Sequence, residues 1–188
     1  MNTMNRRDAG FTLTEMMVAS ALFSLVTLVA VGILIGTVTT GQRVNAVATA
    51  TTNAQLVGAS IDRGILNSTG FELTTTGAGQ LLVARVAGGG STLQWTCYAW
   101  YYDATGNGSI RTKTAAPGGP LIVAPSSAQL ASWTLLLTRV EPRGSAVFSA
   151  AGDTLTVAFD AVVNDDQPVA IEFSTAPLPG VTEDASCY

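Results

Sequence analysis

An α+β fold, with one long N-terminal α-helix packed on a single antiparallel β-sheet, is what this 188-residue chain predicts. Three features carry that expectation. Residues 16–38 form a run of 23 positions without a charge. Residues 44–65 then place Val44, Val47, Thr51, Ala54, Val57, Ile61 and Ile65 at spacings of three and four, the stripe of an amphipathic helix. From Phe71 onward, short runs of Val, Ile, Leu, Thr and aromatic residues alternate with Gly, Asn, Asp and Pro, the signature of strands joined by turns.

The first ten residues are polar, with Arg6 and Arg7 set against Asp8, and the motif Gly10-Phe11-Thr12-Leu13-Thr14-Glu15 leads into the uncharged run. At ~1.5 Å per residue, 23 helical residues span the ~30 Å of bilayer hydrocarbon. Arg6 and Arg7 keep the leader cytoplasmic, so everything beyond residue 38 is expected outside the membrane. A secretory signal fits poorly: its apolar core is shorter and its cleavage site follows that core. Glu15 is the odd residue. A carboxylate at the edge of an apolar helix costs about 2–3 kcal/mol on insertion scales, so it has either a partner or a place among lipid headgroups.

No Pro or loop cluster separates the apolar run from the amphipathic stripe, so one helix over residues 12–66 is expected, about 80 Å long at the helical rise. Gly32 and Gly36 interrupt it with poor helix formers, which either permit local melting or allow close packing of small residues between membrane helices. Asn67-Ser68-Thr69-Gly70 reads as its end. Strands are expected over residues 71–75, 80–87, 92–102, 109–114, 134–140, 145–149, 154–163 and 168–174. The hairpin turns fall at Asp103-Ala104-Thr105-Gly106-Asn107-Gly108 and Asn164-Asp165-Asp166-Gln167, and Pro117-Gly118-Gly119-Pro120 marks a rigid surface loop.

Composition narrows function. Histidine is absent, which removes the commonest general base and metal ligand, and no cofactor or catalytic residue is expected. An enzyme would have to work through carboxylates or a Ser/Lys pair, and the sole lysine, Lys113, has no motif around it. With a net charge of −4 and scattered arginines, no polyanion-binding surface is expected. Trp95, Tyr98, Trp100, Tyr101 and Tyr102 share one strand, but no basic residue is interleaved with them, so core packing is the reading rather than base stacking on DNA. Asp103, Asn107, Asp165 and Asp166 sit where turns favour such residues, so calcium is not expected. Cys97 and Cys187 both lie beyond the membrane segment, which favours a disulfide closing a loop of about ninety residues, worth ~4–5 kcal/mol in the chain-entropy model.

The motif from Gly10 to Glu15, behind a basic leader and ahead of a long apolar run, resembles that of type IV prepilins and type II secretion pseudopilins. The resemblance covers residues 5–40. It implies a leader of residues 1–10, cut between Gly10 and Phe11 by a prepilin peptidase that methylates the new amine of Phe11. It further implies that Glu15 pairs with the N-terminal amine of a neighbouring pilin subunit, that residues 11–40 form the transmembrane and assembly half of the helix, and that residues 41–66 pack on a head spanning 67–188. The implied protein is a non-enzymatic structural subunit, first in the cytoplasmic membrane with an assembly platform and then in a surface filament; a head larger and more irregular than a major subunit needs makes it a minor one in this reading. The family often closes a C-terminal loop with a disulfide. Many members have proline where Gly32 stands. A pseudopilin is one alternative; another is a single-pass membrane protein with an exported ligand-binding β domain, in which Gly10–Phe11 stays uncut.

Overall fold

The computed structural model describes residues 12–77, 79–88, 94–116, 121–163, 168–178 and 187. The chain forms two compact units, Met1–Asn45 and Ala46–Tyr188. One helix, α1 (Leu13–Leu66), begins in the first and ends in the second.

In the first unit every described side chain is exposed. Its six Ser and Thr hydroxyls between residues 16 and 40 all donate back to helix carbonyls, for example Ser24 to Ser20 at 2.8 Å and Thr40 to Gly36 at 2.9 Å. Such back-bonding satisfies the polar groups locally, which an apolar surrounding requires. The helix runs unbroken through Gly32 and Gly36, and nothing in the chain would meet a Cβ at either.

The second unit is built on the other half of α1. Ala54, Val57, Gly58, Ile61, Gly64 and Ile65 form its buried stripe. Asn67 and Ser68 close the helix: the Asn67 amide donates to the Arg63 carbonyl at 2.8 Å and the Ser68 hydroxyl to the Ile65 carbonyl at 2.7 Å. The helix thus ends where the sequence indicates, although no loop follows. The chain passes directly into β1 (Ser68–Thr76), with the Ala87 N–H donating to the Asn67 carbonyl. There follow β2 (Gly79–Gly88), β3 (Gln94–Asp103), β4 (Ser109–Ala115) and β5 (Thr134–Thr138), an antiparallel meander in the order β1-β2-β3-β4-β5.

The helix on an antiparallel sheet is as expected, but the strands do not make a single sheet. The strand expected over residues 134–140 divides at Arg139, a non-glycine residue at φ 60°. On one side β5 pairs with β4; on the other β6 (Val140–Pro142) pairs with β8 (Thr154–Val162). β7 (Phe148–Ala151) joins the same edge of β8, and β9 (Pro168–Thr175) its other edge, giving a second, four-stranded sheet. The switch is held by backbone bonds: Arg139 N–H to Gly108 O at 2.9 Å, Val140 N–H to Asn107 O at 3.1 Å and Val162 N–H to Arg139 O at 2.8 Å. Gly108, at φ 71°, lies against the Val140 carbonyl where any Cβ would overlap it. Glycine meets both demands without the steric cost of a side chain.

Alternation along β3 sorts its side chains as the sequence indicates. Trp100 and Tyr102 enter an inner core with α1, Leu82 and Ala84 of β2, and Phe148, Leu155, Val157 and Phe159 of the second sheet. Cys97, Ala99 and Tyr101 enter an outer core with Leu81, Val83, Ile122, Trp133 and Cys187. The first sheet is thus buried on both faces. Gln80 ties it to the second sheet: its Oε1 accepts from Val147 N–H at 2.8 Å and Phe148 N–H at 3.0 Å, and its Nε2 donates to the Phe148 carbonyl at 2.9 Å. Burial, with the Asp103 carboxylate adding to it, raises the phenols of Tyr101 and Tyr102 above their ordinary value. Cys97 and Cys187 are joined by a disulfide, Cα to Cα 5.4 Å, closing a separation of 90 residues under the outer core.

Two stability outcomes follow from this packing. A Cβ on Gly64 would overlap the Cη2–Cζ2 edge of the Trp100 ring, so Gly64→Ala should lose up to about 3 kcal/mol to overpacking, more than the ~1 kcal/mol that alanine gains in helix propensity. Thermal unfolding should place this variant below wild type, and Trp100→Leu in the same chain should recover part of the difference. Replacing both cysteines by serine should lower stability by up to about 4–5 kcal/mol, since the closed loop is long. Denaturant titration checks this, and an unchanged midpoint would mean the bridge adds nothing.

Candidate functional site

Helix α1 starts with a T-x-x-E sequence, and its geometry is that of a cap. Thr12 precedes the first helical residue, Leu13. The Thr12 carbonyl accepts from the N–H groups of Glu15 at 3.1 Å and Met16 at 3.2 Å. The Thr12 hydroxyl oxygen accepts from the Glu15 N–H at 3.3 Å, and the hydroxyl lies 3.5 Å from the Glu15 carboxylate. Thr12 is therefore the N-cap and Glu15 the third residue of the first turn, so the cap-to-backbone half of a capping box is formed and the carboxylate lies beside the cap hydroxyl. The first-turn N–H groups and the helix dipole make this end electropositive, which favours a carboxylate there.

Both side chains are exposed. Glu15 thus sits at the head of a helix long and apolar enough, by length and composition, to cross a membrane. Between Thr12 and Asn45 it is the only acidic residue, and Arg43 the only basic one. A carboxylate so placed can hold a cation at the start of a stretch that carries no other charge before Arg43. The expected cleavage and methylation residues, Gly10 and Phe11, and the leader arginines Arg6 and Arg7 lie outside the described residues. Thr12 is the participant that the sequence reading overlooked, although a threonine three positions before a glutamate at the start of an apolar run is a signal for it.

Elsewhere the polar clusters serve the fold. The Asp103 carboxylate accepts from the Thr105 N–H at 3.0 Å and from its hydroxyl at 2.8 Å, which shapes the β3–β4 turn. Asp165 and Asp166 lie outside the described residues, and among those described no group of three or more His, Cys, Asp or Glu side chains is placed to hold a metal. The aromatic strand is divided between the two cores rather than offered as a platform. On its outer side Arg85 stacks over Trp95 at 4.3 Å, a cation–π contact with a mostly buried arginine.

Residues 5–31 match the family model described as the prokaryotic N-terminal methylation motif. No curated protein and no solved structure matches the chain. The matched segment contains Glu15, its cap Thr12 and the first turns of the apolar helix. The chain carries, at its N-terminus, the methylation motif that is the hallmark of type IV prepilin-like proteins.

Proposed function

We propose that this chain is a structural subunit, of the minor kind, in a type IV pilus or a related filament such as a secretion pseudopilus. The observation that carries the reading is the coincidence of the methylation motif with a capped helix whose first half, up to Asn45, is exposed and apolar and has its sole acidic residue in the first turn. Residues 1–10 act as the leader, residues 11–40 as the membrane and assembly segment, residues 41–66 as the part of the helix bound to the head, and residues 67–188 as the exported head. A head of two sheets, both packed on the helix, is larger and more irregular than a major subunit needs, which supports the assignment to a minor subunit.

In this reading a prepilin peptidase cuts between Gly10 and Phe11 on the cytoplasmic side and methylates the Phe11 amine. The subunit waits in the cytoplasmic membrane and is then drawn into a filament by the assembly platform, with its apolar helix packed among those of other subunits. In that bundle, screening by water and salt is weak. An unpaired Glu15 carboxylate would cost several kcal/mol, whereas a carboxylate paired with a neighbour's Phe11 amine sets the axial register between subunits. Thr12 holds Glu15 at the helix start and keeps its backbone N–H satisfied, so the carboxylate is positioned before the partner arrives. DNA is not assigned as a ligand.

Co-expression with a prepilin peptidase should shorten the chain by ten residues and leave an N-methylated Phe11, as read by mass spectrometry. Gly10→Val should block the cut. An intact leader beside an active peptidase would sink the assignment and favour a membrane-anchored β domain of another kind.

Glu15→Val should leave insertion, head folding and cleavage intact, yet reduce the protein in sheared filaments relative to the membrane pool. Thr12→Ala removes the cap hydroxyl but keeps the carboxylate, at about 1 kcal/mol of helix stability, and should incorporate far better than Glu15→Val. Equal incorporation of Glu15→Val and wild type would show that the carboxylate serves only the helix end.

A further inference from the structure

A strand at the edge of a sheet presents unpaired N–H and C=O groups, and proteins guard such edges by shortness, charge, proline or cover. Among the described strands, β5 has five residues and stops just before Arg139, β6 has three and β7 four. β9 opens with Pro168 and shares a groove with α1. β1 lacks the guards of shortness, proline and lysine. It runs nine residues with Glu72 as its single charge and with neither proline nor lysine. Its beginning is taken, because the Leu178 N–H donates to the Ser68 carbonyl at 2.9 Å and the register shifts between Ser68 and Phe71. Over residues 71–76 the outer edge has no hydrogen-bonding partner among the described residues.

The surfaces beside this open edge are apolar on both sides. Phe71 and Leu73 lie half-buried against the inner core. Glu72 and Thr74, paired with Val83 and Leu81, face the other way, into a groove of about 440 Å³. Leu81 and Val83 floor that groove, and Leu121 and Val123, 53% and 66% exposed, rim it. A strand added to β1 would send alternate side chains into the groove and beside Phe71 and Leu73. Glu72 is the one charge on the groove wall.

The geometry points to β1 as a docking edge for an extended segment of a partner protein, about six residues long to match residues 71–76, apolar on both faces and carrying one Lys or Arg that meets Glu72. Backbone hydrogen bonds to the edge hold the segment, and the groove and carboxylate select its side chains. A second copy of β1 fits less well. It would bring a glutamate in place of the cation and threonines, at 74 and 76, in place of apolar groove residues.

The test uses the full chain in lipid nanodiscs and the capped peptide Ac-Thr-Val-Lys-Ile-Val-Val-NH2. Binding should slow amide exchange at alternate residues of 71–76 at least tenfold. Glu72→Lys, an exposed substitution, should weaken this peptide tenfold or more and favour the analogue with Glu in place of Lys. An analogue N-methylated at alternate residues partitions into lipid equally but cannot bond the edge, and should not protect it. Absent protection, equal binding of the N-methylated analogue, or indifference to Glu72→Lys would each overturn the proposal. Protection that arises without peptide and grows with protein concentration would overturn it in favour of β1 pairing with a second β1.

Discussion

The second unit depends on the contact between a helix without a side chain and a ring that fills the gap. Gly64 leaves room for Trp100, whose ring would collide with any Cβ there, and the indole N–H reaches the Ser60 hydroxyl at 3.3 Å one turn away. Gly58 does the same more loosely for Phe173 of β9. These two points fix the rotation of α1 about its axis. Ala54, Val57, Ile61 and Ile65 then have one place to go, and the two sheets share a core around them. Interiors pack near crystal density, so a helix rotated or lifted to clear Trp100 would lose contacts along its whole buried stripe.

With the inner face committed to the helix, the outer face of the first sheet is closed by other means. β3 supplies both sides, since successive side chains point oppositely. Cys97, Ala99 and Tyr101 meet Trp133 and Ile122 from the segment after β4, and the disulfide brings Cys187 under the same cover. Arg111 helps fix that segment by donating to the Leu130 carbonyl at 3.1 Å. Cover is incomplete toward β1, which is why the groove beside Leu81 and Val83 remains open there.

The first unit obeys a different constraint. Its described residues form no core of their own, and their hydroxyls are satisfied within the helix, hydroxyl to carbonyl along its length and Thr12 to Glu15 at its start. A rod of this kind gains from any surrounding that matches its apolar surface, whether lipid or other rods. Between Thr12 and Asn45 its one acidic charge, Glu15, lies at the helix start, where a carboxylate calls for a partner.

The long helix, its amphipathic stripe, most strand positions and the sidedness of β3 were legible in the sequence because each follows from local periodicity. The Thr12–Glu15 cap was legible too, as T-x-x-E, although the apolar run drew attention to the carboxylate alone. The second sheet was not legible. Nothing local marks Arg139 as the residue that turns left-handed; the carbonyls of Asn107 and Gly108, about thirty residues earlier in the chain, receive the N–H groups of Arg139 and Val140 there. Nor does the sequence pair Gln80 with residues 147 and 148, or Gly64 with Trp100. Periodicity determines which side of an element is apolar, and that much belonged to the sequence by itself. Which apolar sides meet depends on contacts between residues far apart in the chain, and only the tertiary structure decided it.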